Sequence, residues 1–259
     1  MNDAALFGLR AAYALRLGDD ALVLAQRLGE WIAASPQLEE DVAVGNIGLD
    51  LLGQARSLLT HAGELEGQAG AEARDEDDLA YFRDEREFTN VHLAELEGGD
   101  FGHTMARLLV FSAYQSELYA QLSTSRDSTL AAIAAKALKE VSYHRDHATQ
   151  WVLRLGDGTD ESHRRMQSAV DAVWPYTFEL FEADRLTDAL VEAGVAADPV
   201  AMQPPWAAYV TSVLQQATLA VPTAVPAVTG GRRGVHTEQM GFLLAEMQHL
   251  TRSHPGATW

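Results

Sequence analysis

The fold of this chain is decided by the stretch KEVSYHRDH, Lys139–His147, which lies in the middle of one long predicted helix. We expect the helix to start near Asp127, a favoured N-cap residue type, and to end at Leu155, before the glycine-containing GDGT. Successive helical residues are about 100° apart, and the small and apolar residues then fall on one arc. The arc consists of Leu130, Ala134, Ala137, Val141, Ala148, Val152 and Leu155. The pattern therefore predicts an amphipathic helix that packs against other helices.

Two potential metal ligands belong to the same stretch. His144 falls inside the apolar arc, Glu140 lies at its edge, and His147 lies just beyond Glu140. The pattern therefore predicts that His144 points into the protein. Helical bundles build iron sites from carboxylates and imidazoles that share a helix face. A metal centre is one hypothesis for this stretch, and an ordinary buried core histidine is the other.

The flanking sequence also predicts helices. No proline occurs between Pro36 and Pro175, and this interval lacks the Val, Ile and Thr alternation of β-strands. We expect a helix N-cap at Asp19–Asp20 and a kink at Pro175. The predicted helices cover residues 20–35, 38–66, 75–86, 100–122, 127–155 and 160–181. This organisation predicts an all-α fold, a bundle of long helices.

The pattern changes from Asp198 onward. Five prolines between residues 199 and 226 are expected to break the chain into short pieces, before a glycine loop and a last helix. We predict one domain over residues 1–259. Its helical core lies at about 13–190, and an irregular, proline-rich C-terminal extension that ends in a helix lies at about 198–259.

Composition excludes several classes of function. The chain has 37 Asp and Glu against 19 Lys and Arg, so a formal net charge of −18 disfavours nucleic acid as a partner. It has no cysteine, which excludes disulfides and thiolate sites and suits a reducing compartment. The N-terminus is too polar for a secretory signal, and no apolar run is long enough to span a membrane. We therefore expect a cytoplasmic protein.

The residue pattern is incomplete for a two-iron centre. Such a centre in a helical bundle takes a Glu from each of two helices and a Glu-x-x-His pair from each of two others. Here Val141 occupies the position three before His144, and the helix at 38–66 has no Glu-x-x-His pair. The candidate ligands that remain are Glu30, Glu117, Glu140 and His144. They are too few for two irons, although a mononuclear site stays open.

Other residues have simpler explanations. Arg27 lies one turn before Glu30 and predicts an ordinary ion pair, whereas Glu117 is the only acid of an apolar helix and is expected to be buried. Arg232 and Arg233, in the glycine loop TGGRRG, are candidates for contact with phosphate groups or a partner's carboxylates; a surface turn is the alternative. The loop lacks the Lys-Ser ending of a P-loop.

Five segments, in order along the chain, resemble the PaaC family. They are ALRLGDDALVLAQRLGEW, NIGLDLLGQARSLL, FRDEREFTN, LGDGTDES and GVHTEQMGFLLAEMQ. The resemblance extends from about Tyr13 to the C-terminus. Members of this family are structural subunits of the multicomponent phenylacetyl-CoA epoxidase of bacterial phenylacetate degradation.

The resemblance implies a ferritin-like bundle of long antiparallel helices and a homologous, PaaA-like catalytic partner. That partner would carry the di-iron site and bind the CoA ester, and a separate reductase would supply electrons for epoxidation by O₂. This chain would be the non-catalytic scaffold of the oxygenase, without a cofactor of its own. Whether the isolated chain self-associates stays open.

The resemblance also identifies the positions of the family's ligands. Its two Glu-x-x-His pairs correspond to Leu51 with Gln54 and to Val141 with His144, and only His144 matches. The spacing and the resemblance therefore agree that the di-iron ligand set is incomplete, and the resemblance implies a structural subunit that lacks catalytic activity. The alternative is an autonomous metal-dependent oxygenase or oxidase that uses the reduced ligand set. For the scaffold, we expect the partner surface on the helices that bear Trp174, Phe178 and Phe181.

Overall fold

The computed structural model describes residues 3–257, and helices are the only regular secondary structure in that range. The all-α prediction is confirmed. The α-helices in chain order are α1 (Asp3–Gly29), α2 (Leu38–Gln68), α3 (Glu76–Tyr81), α4 (His92–Glu95), α5 (Phe101–Leu122), α6 (Ser128–Gly156), α7 (Asp160–Val173), α8 (Arg185–Glu192), α9 (Pro199–Gln216) and α10 (Glu238–Ser253). No helix within residues 3–257 combines the length and apolarity needed to cross a membrane.

The helices belong to two compact units. Unit 1 consists of residues 1–97 and 229–259, and unit 2 consists of residues 98–228. The predicted C-terminal extension is therefore shared between them, since α9 belongs to unit 2 and α10 to unit 1. The single domain over residues 1–259 stays a prediction, and its residues 1, 2, 258 and 259 lie outside the described range.

Unit 1 is built on the long helix pair α1 and α2. We predicted that the first helix starts at Asp19–Asp20, which is wrong, because α1 starts at Asp3 and both acids lie inside it. They are buried and form ion pairs with Arg83 and Arg232. The two arginines compensate the charges of Asp19 and Asp20, which from the sequence alone look like residues of a helix cap.

Unit 2 is built on α5 and α6, with α7 and α9 packed against them. The carboxylates of Asp100 and Asp127 cap α5 and α6 by accepting hydrogen bonds from the backbone amides of His103 and Leu130. The predicted starts of both helices are confirmed. The buried residues of α6 are Leu130, Ala134, Ala137, Val141, His144, Ala148, Val152 and Gly156. The predicted arc is confirmed apart from Leu155, which is half-buried, and His144 does point inward.

The prolines of unit 2 act differently from our prediction. Helix α7 ends at Val173, and a 3₁₀ segment, Trp174–Phe181, follows it in place of a helix kinked at Pro175. Helix α9 continues through Pro204 and Pro205, where we predicted short pieces. These prolines remove two N–H donors, but the buried side of α9 holds the helix in place. On that side Trp206 donates its indole N–H to the carbonyl of Val110 at 2.9 Å.

The aromatic residues of the 3₁₀ segment form part of the core of unit 2. The rings of Trp174 and Phe181 both pack against Trp206, with centroids 5.8 and 5.0 Å away, and Phe181 also contacts Tyr114. Trp174 and Phe181 are each 8% exposed, and Phe178 is half-buried. Trp174 and Phe181 therefore contribute to the core and offer little exposed apolar surface, and the location of the partner surface on this part of the chain stays a prediction.

Candidate functional site

The first pair of family ligand positions lies on α2 in unit 1. Leu51 is 1% exposed and Gln54 is 4% exposed, so both side chains belong to the interior. A leucine has no lone pair, and a neutral amide is a poor substitute for imidazole as an iron ligand. Leu51 and Gln54 therefore contribute to the packed interior at positions where a di-iron protein would have a carboxylate and a histidine as ligands.

The second pair lies on α6 in unit 2. Val141 is fully buried, and His144 is 1% exposed. Glu140, one residue earlier, is on the edge of the helix, where its Oε1 lies 3.4 Å from Nζ of the exposed Lys136. The nearest carboxylate in the sequence is thus engaged with a surface lysine, and the inward carboxylate position holds an aliphatic side chain.

The remaining candidate ligands are also in ordinary environments. Glu30 follows α1, and its Oε1 accepts a hydrogen bond from Nη1 of Arg27 at 2.6 Å, which confirms the predicted ion pair. Glu117, on α5, is half-buried, whereas we expected it to be buried. Within residues 3–257, no group of three or more His, Asp or Glu side chains is arranged to hold a metal ion.

The residues present do not fit a di-iron centre. Such a centre needs a set of four carboxylates and two histidines on facing helices. At the ligand positions that the resemblance implies, the chain has buried Leu51 and Val141 where carboxylates are expected and buried Gln54 where a histidine is expected. We therefore assign no step of a reaction to an iron bound by this chain.

Arg232 forms an ion pair in the interior of unit 1. Its Nη1 and Nη2 donate to the two carboxylate oxygens of Asp20 at 3.0 and 2.8 Å, and Nη1 also donates to the carbonyls of Arg16 and Thr89. Burial raises the pKa of Asp20, against the opposing effects of Arg232 and of the Val91 amide. This bidentate arrangement is the strong form of an arginine–carboxylate contact.

Arg233 has a different environment from its neighbour. Its side chain is exposed, and Nη2 donates to the carbonyl of Thr229 at 3.0 Å. Of the two predicted contact residues, Arg233 is therefore the one whose guanidinium faces solvent.

Two glycines let the TGGRRG loop lie directly on the backbone of residues 86–90. A Cβ on Gly231 would be 2.1 Å from the carbonyl oxygen of Asn90. A Cβ on Gly234 would be 2.1 Å from that of Arg86, and Gly234 also has a φ of +67°, which favours glycine. The loop is therefore built for close contact within unit 1.

A second buried ion pair joins Asp19 to Arg83. The guanidinium of Arg83 donates to both carboxylate oxygens of Asp19, and it also donates to the carbonyl of Glu87. The amide and the hydroxyl of Thr89 donate to Asp19 Oδ2 at 2.8 and 3.0 Å. The guanidinium also lies over the ring of Phe88, 4.1 Å from its centroid. The segment after α3 is thereby fixed to α1.

A third buried pair joins Glu95 to His236. The Nδ1 and Nε2 atoms of His236 lie 2.7 Å from Glu95 Oε2 and 2.9 Å from the Phe88 carbonyl. Both neighbours can accept hydrogen bonds, so this geometry suits the doubly protonated, cationic form of His236. Burial lowers the pKa of His236, but the hydrogen bond and charge of Glu95 raise it overall. Burial likewise raises the pKa of Glu95, and His236 with the Thr237 amide lowers it overall.

Sequence reasoning missed these three ion pairs. The signal for two of them was available, since Asp19 and Asp20 interrupt an otherwise apolar run in ALRLGDDALVLA. Adjacent acids within a buried helix require cationic partners. The sequence does not say which of the arginines supplies them.

Comparisons with known proteins show the family of the chain. The sequence model of the family described as phenylacetic acid catabolic protein, PaaA_PaaC, matches residues 8–259. The chain belongs to this family. It is 50% identical over 248 residues to the C component of the 1,2-phenylacetyl-CoA epoxidase of Escherichia coli K12, covering 96% of this chain and 98% of that protein. The predicted resemblance is confirmed.

A solved structure confirms the fold. The chain is similar to the Synechococcus "Protein 19 with aldehyde deformylating oxidase activity", with a TM-score of 0.58 and 18% identity over 85% of this chain and 95% of that one. This similarity shows the predicted ferritin-like fold.

Proposed function

We propose that the chain is the non-catalytic structural subunit of a phenylacetyl-CoA epoxidase, an oxygenase of aerobic phenylacetate catabolism. One observation supports the proposal: Leu51 and Val141, at the positions that the resemblance implies for the two Glu-x-x-His carboxylates, are buried aliphatic residues. This loss occurs in a chain that is 50% identical over nearly its whole length to the C component of such an epoxidase. A ferritin-like fold without a complete set of iron ligands supports a structural role, because the helices can still pack together while another subunit would have to supply the iron and the reaction.

The scaffold is stabilised without a metal. Where a di-iron bundle derives stability from metal–ligand bonds, Leu51 and Val141 contribute apolar burial, worth about 1.5–3 kcal/mol for each side chain. The ion pairs of Asp19, Asp20 and Glu95 add specific connections within unit 1. This chain would therefore present fixed helix surfaces to its partner in the absence of iron.

The partner in this proposal is a homologous, PaaA-like catalytic subunit that holds the di-iron centre, with a reductase as a further component. We propose that the assembly is cytoplasmic, because a chain without cysteine forms no disulfides and is therefore compatible with a reducing compartment. Contact with a CoA phosphate or a partner carboxylate falls to Arg233, because the guanidinium of Arg232 is engaged with Asp20.

Reconstitution tests the proposal. The catalytic homologue, the reductase, reductant, O₂ and phenylacetyl-CoA are combined with and without this chain, and loss of the thioester substrate is followed by chromatography. We expect turnover that depends on this chain, and neither iron nor turnover for the chain alone. The autonomous-oxygenase alternative predicts the opposite: near-stoichiometric iron and O₂-dependent turnover by the isolated chain, which would refute the proposed role.

A further inference from the structure

Helix α2 has two apolar faces, and only one of them is covered within unit 1. The inner face is buried, with Val44, Ile47, Leu51 and Leu58 among its residues. The outer face carries a row at alternating spacings of four and three residues: Leu38, Val42, Gly45, Leu49 and Leu52. Alternation of four and three is the spacing of a coiled-coil seam, which packs against another helix.

The outer row is open to solvent. Leu38, Val42, Leu49 and Leu52 are 75%, 56%, 66% and 41% exposed. Soluble proteins rarely expose a continuous apolar row of this kind unless it binds something. The row therefore has the character of an unfilled helix–helix contact.

The row borders a groove of about 450 Å³ within unit 1. The groove is also lined by Ala25 near the end of α1, by the exposed Ile32 that follows α1, and by Met247 of α10. A Cβ placed on Gly45 would meet no described atom within 4 Å, so the floor of the groove is open there. A helix of a partner can thus approach the backbone of α2 closely.

The charges around the groove indicate which helix fits. Residues 28–55 contain five acids and no Lys, Arg or His. Glu30 pairs with Arg27, and Glu40 is buried. The sequence neighbours of the outer row are the exposed Glu39 and the half-buried Asp41 and Asp50. A second copy of this chain would bring the same acids against them, and like charges across an interface disfavour association. A helix with Lys or Arg beside its apolar seam is complementary.

We propose that this α2 outer groove binds an amphipathic, basic-flanked helix of the catalytic homologue; the inference rests on the proposed structural role. The apolar seam of that helix packs between the residues of the outer row, and its cations face the acidic rim. The groove would then be the principal contact between scaffold and catalytic subunit.

The test is the affinity of the full-length chain for the purified catalytic homologue, measured by calorimetry. Val42→Glu with Leu49→Glu places two charges in the centre of the seam, and we expect affinity to fall at least about 30-fold, as for an interface hot spot. The matched control is Val225→Glu with Val228→Glu, at residues of unit 2 that are 82% and 87% exposed. It adds the same charge, and its affinity is expected to stay within about twofold of the wild type.

A second arm tests the charge argument. Glu39→Gln with Asp41→Asn keeps the side-chain shapes and is expected to slow association about threefold at low salt, with little effect at high salt. Circular dichroism checks that every variant keeps the helical content of the wild type, so that a loss of affinity reports the surface.

The outcomes separate the inference from the proposed function. If the wild-type chain binds the homologue and the Val42/Leu49 variant binds equally well, the groove inference fails while the structural role stands. If the wild-type chain does not bind the homologue at all, both fail. If the wild-type chain dimerises in sedimentation and the variant does not, the occupant is a second copy, and the inference is wrong.

Discussion

Replacement of Arg232 by methionine tests the buried ion-pair network most sharply. The substitution keeps most of the aliphatic volume and removes the guanidinium that pairs with Asp20, whose side chain is 3% exposed. It also removes hydrogen bonds to the carbonyls of Arg16 and Thr89. Asp20 then keeps the amide of Val91 as a donor but has lost its cation.

The expected loss follows from this geometry. Removal of one partner from a buried pair costs about 3–5 kcal/mol, because the remaining charge is left uncompensated. For a protein of this size that loss corresponds to a melting temperature lower by about 10 °C. Burial already raises the pKa of Asp20, and loss of Arg232 raises it further. A neutral Asp20 needs no cation, so the loss shrinks as the pH falls.

The assay is urea unfolding followed by far-ultraviolet circular dichroism, at neutral pH and again at mildly acidic pH. The control is Arg233→Met, the adjacent and exposed arginine, which we expect to change the unfolding free energy by at most about 0.5 kcal/mol. The double variant Asp20→Asn with Arg232→Met is expected to lose less than the sum of the two single variants. Equal stability of Arg232→Met and Arg233→Met would refute the reasoning.

Two further predictions concern the same unit. Gly234→Ala places a Cβ against the Arg86 carbonyl at a φ of +67° and is expected to lower the free energy of unfolding by about 2 kcal/mol or more. Gly70→Ala, also at positive φ but in open space, is expected to lower it by about 1 kcal/mol, and thermal unfolding compares the two variants. The folded-state pKa of His236 is raised above 6.5, so its stabilising charge is fully present below pH 6.5 and is lost as the pH rises through that pKa. In urea unfolding, the free energy of unfolding of His236→Gln is expected not to fall as the pH rises through this range. An equal fall in the variant would show that the pair of His236 with Glu95 is not its cause.

Helix α6 shows what sequence could predict. Its cap at Asp127 and its apolar arc are local features, because capping and helical periodicity depend on residues a few positions apart. The inward position of His144 followed from the same arc. The absence of a carboxylate at Val141 is visible in the sequence itself, so the conclusion about the metal site did not depend on the fold.

Other features depend on residues that are far apart in the chain. Asp20 is paired with a residue 212 positions later, and the sequence gives no rule for that choice. Asp19 and Asp20 look like a helix cap for the same reason, because the partners that allow them to be buried inside α1 lie far away in the sequence. Helix α9 was missed because burial of its apolar side outweighs the local cost of Pro204 and Pro205. The exposed row on α2 was overlooked because periodicity alone does not distinguish a face that is covered from one that is not.

The central claim, that this chain belongs to the oxygenase without contributing to its chemistry, is tested most directly at His144. His144 is the one residue that matches the ligand pattern implied by the resemblance, so the turnover rate of the assembled complex is measured with the wild-type chain and with His144→Gln. Sedimentation fixes the amount of complex in each sample. We predict equal turnover per assembled complex. Turnover lost together with iron, in a complex that still assembles, would contradict the account.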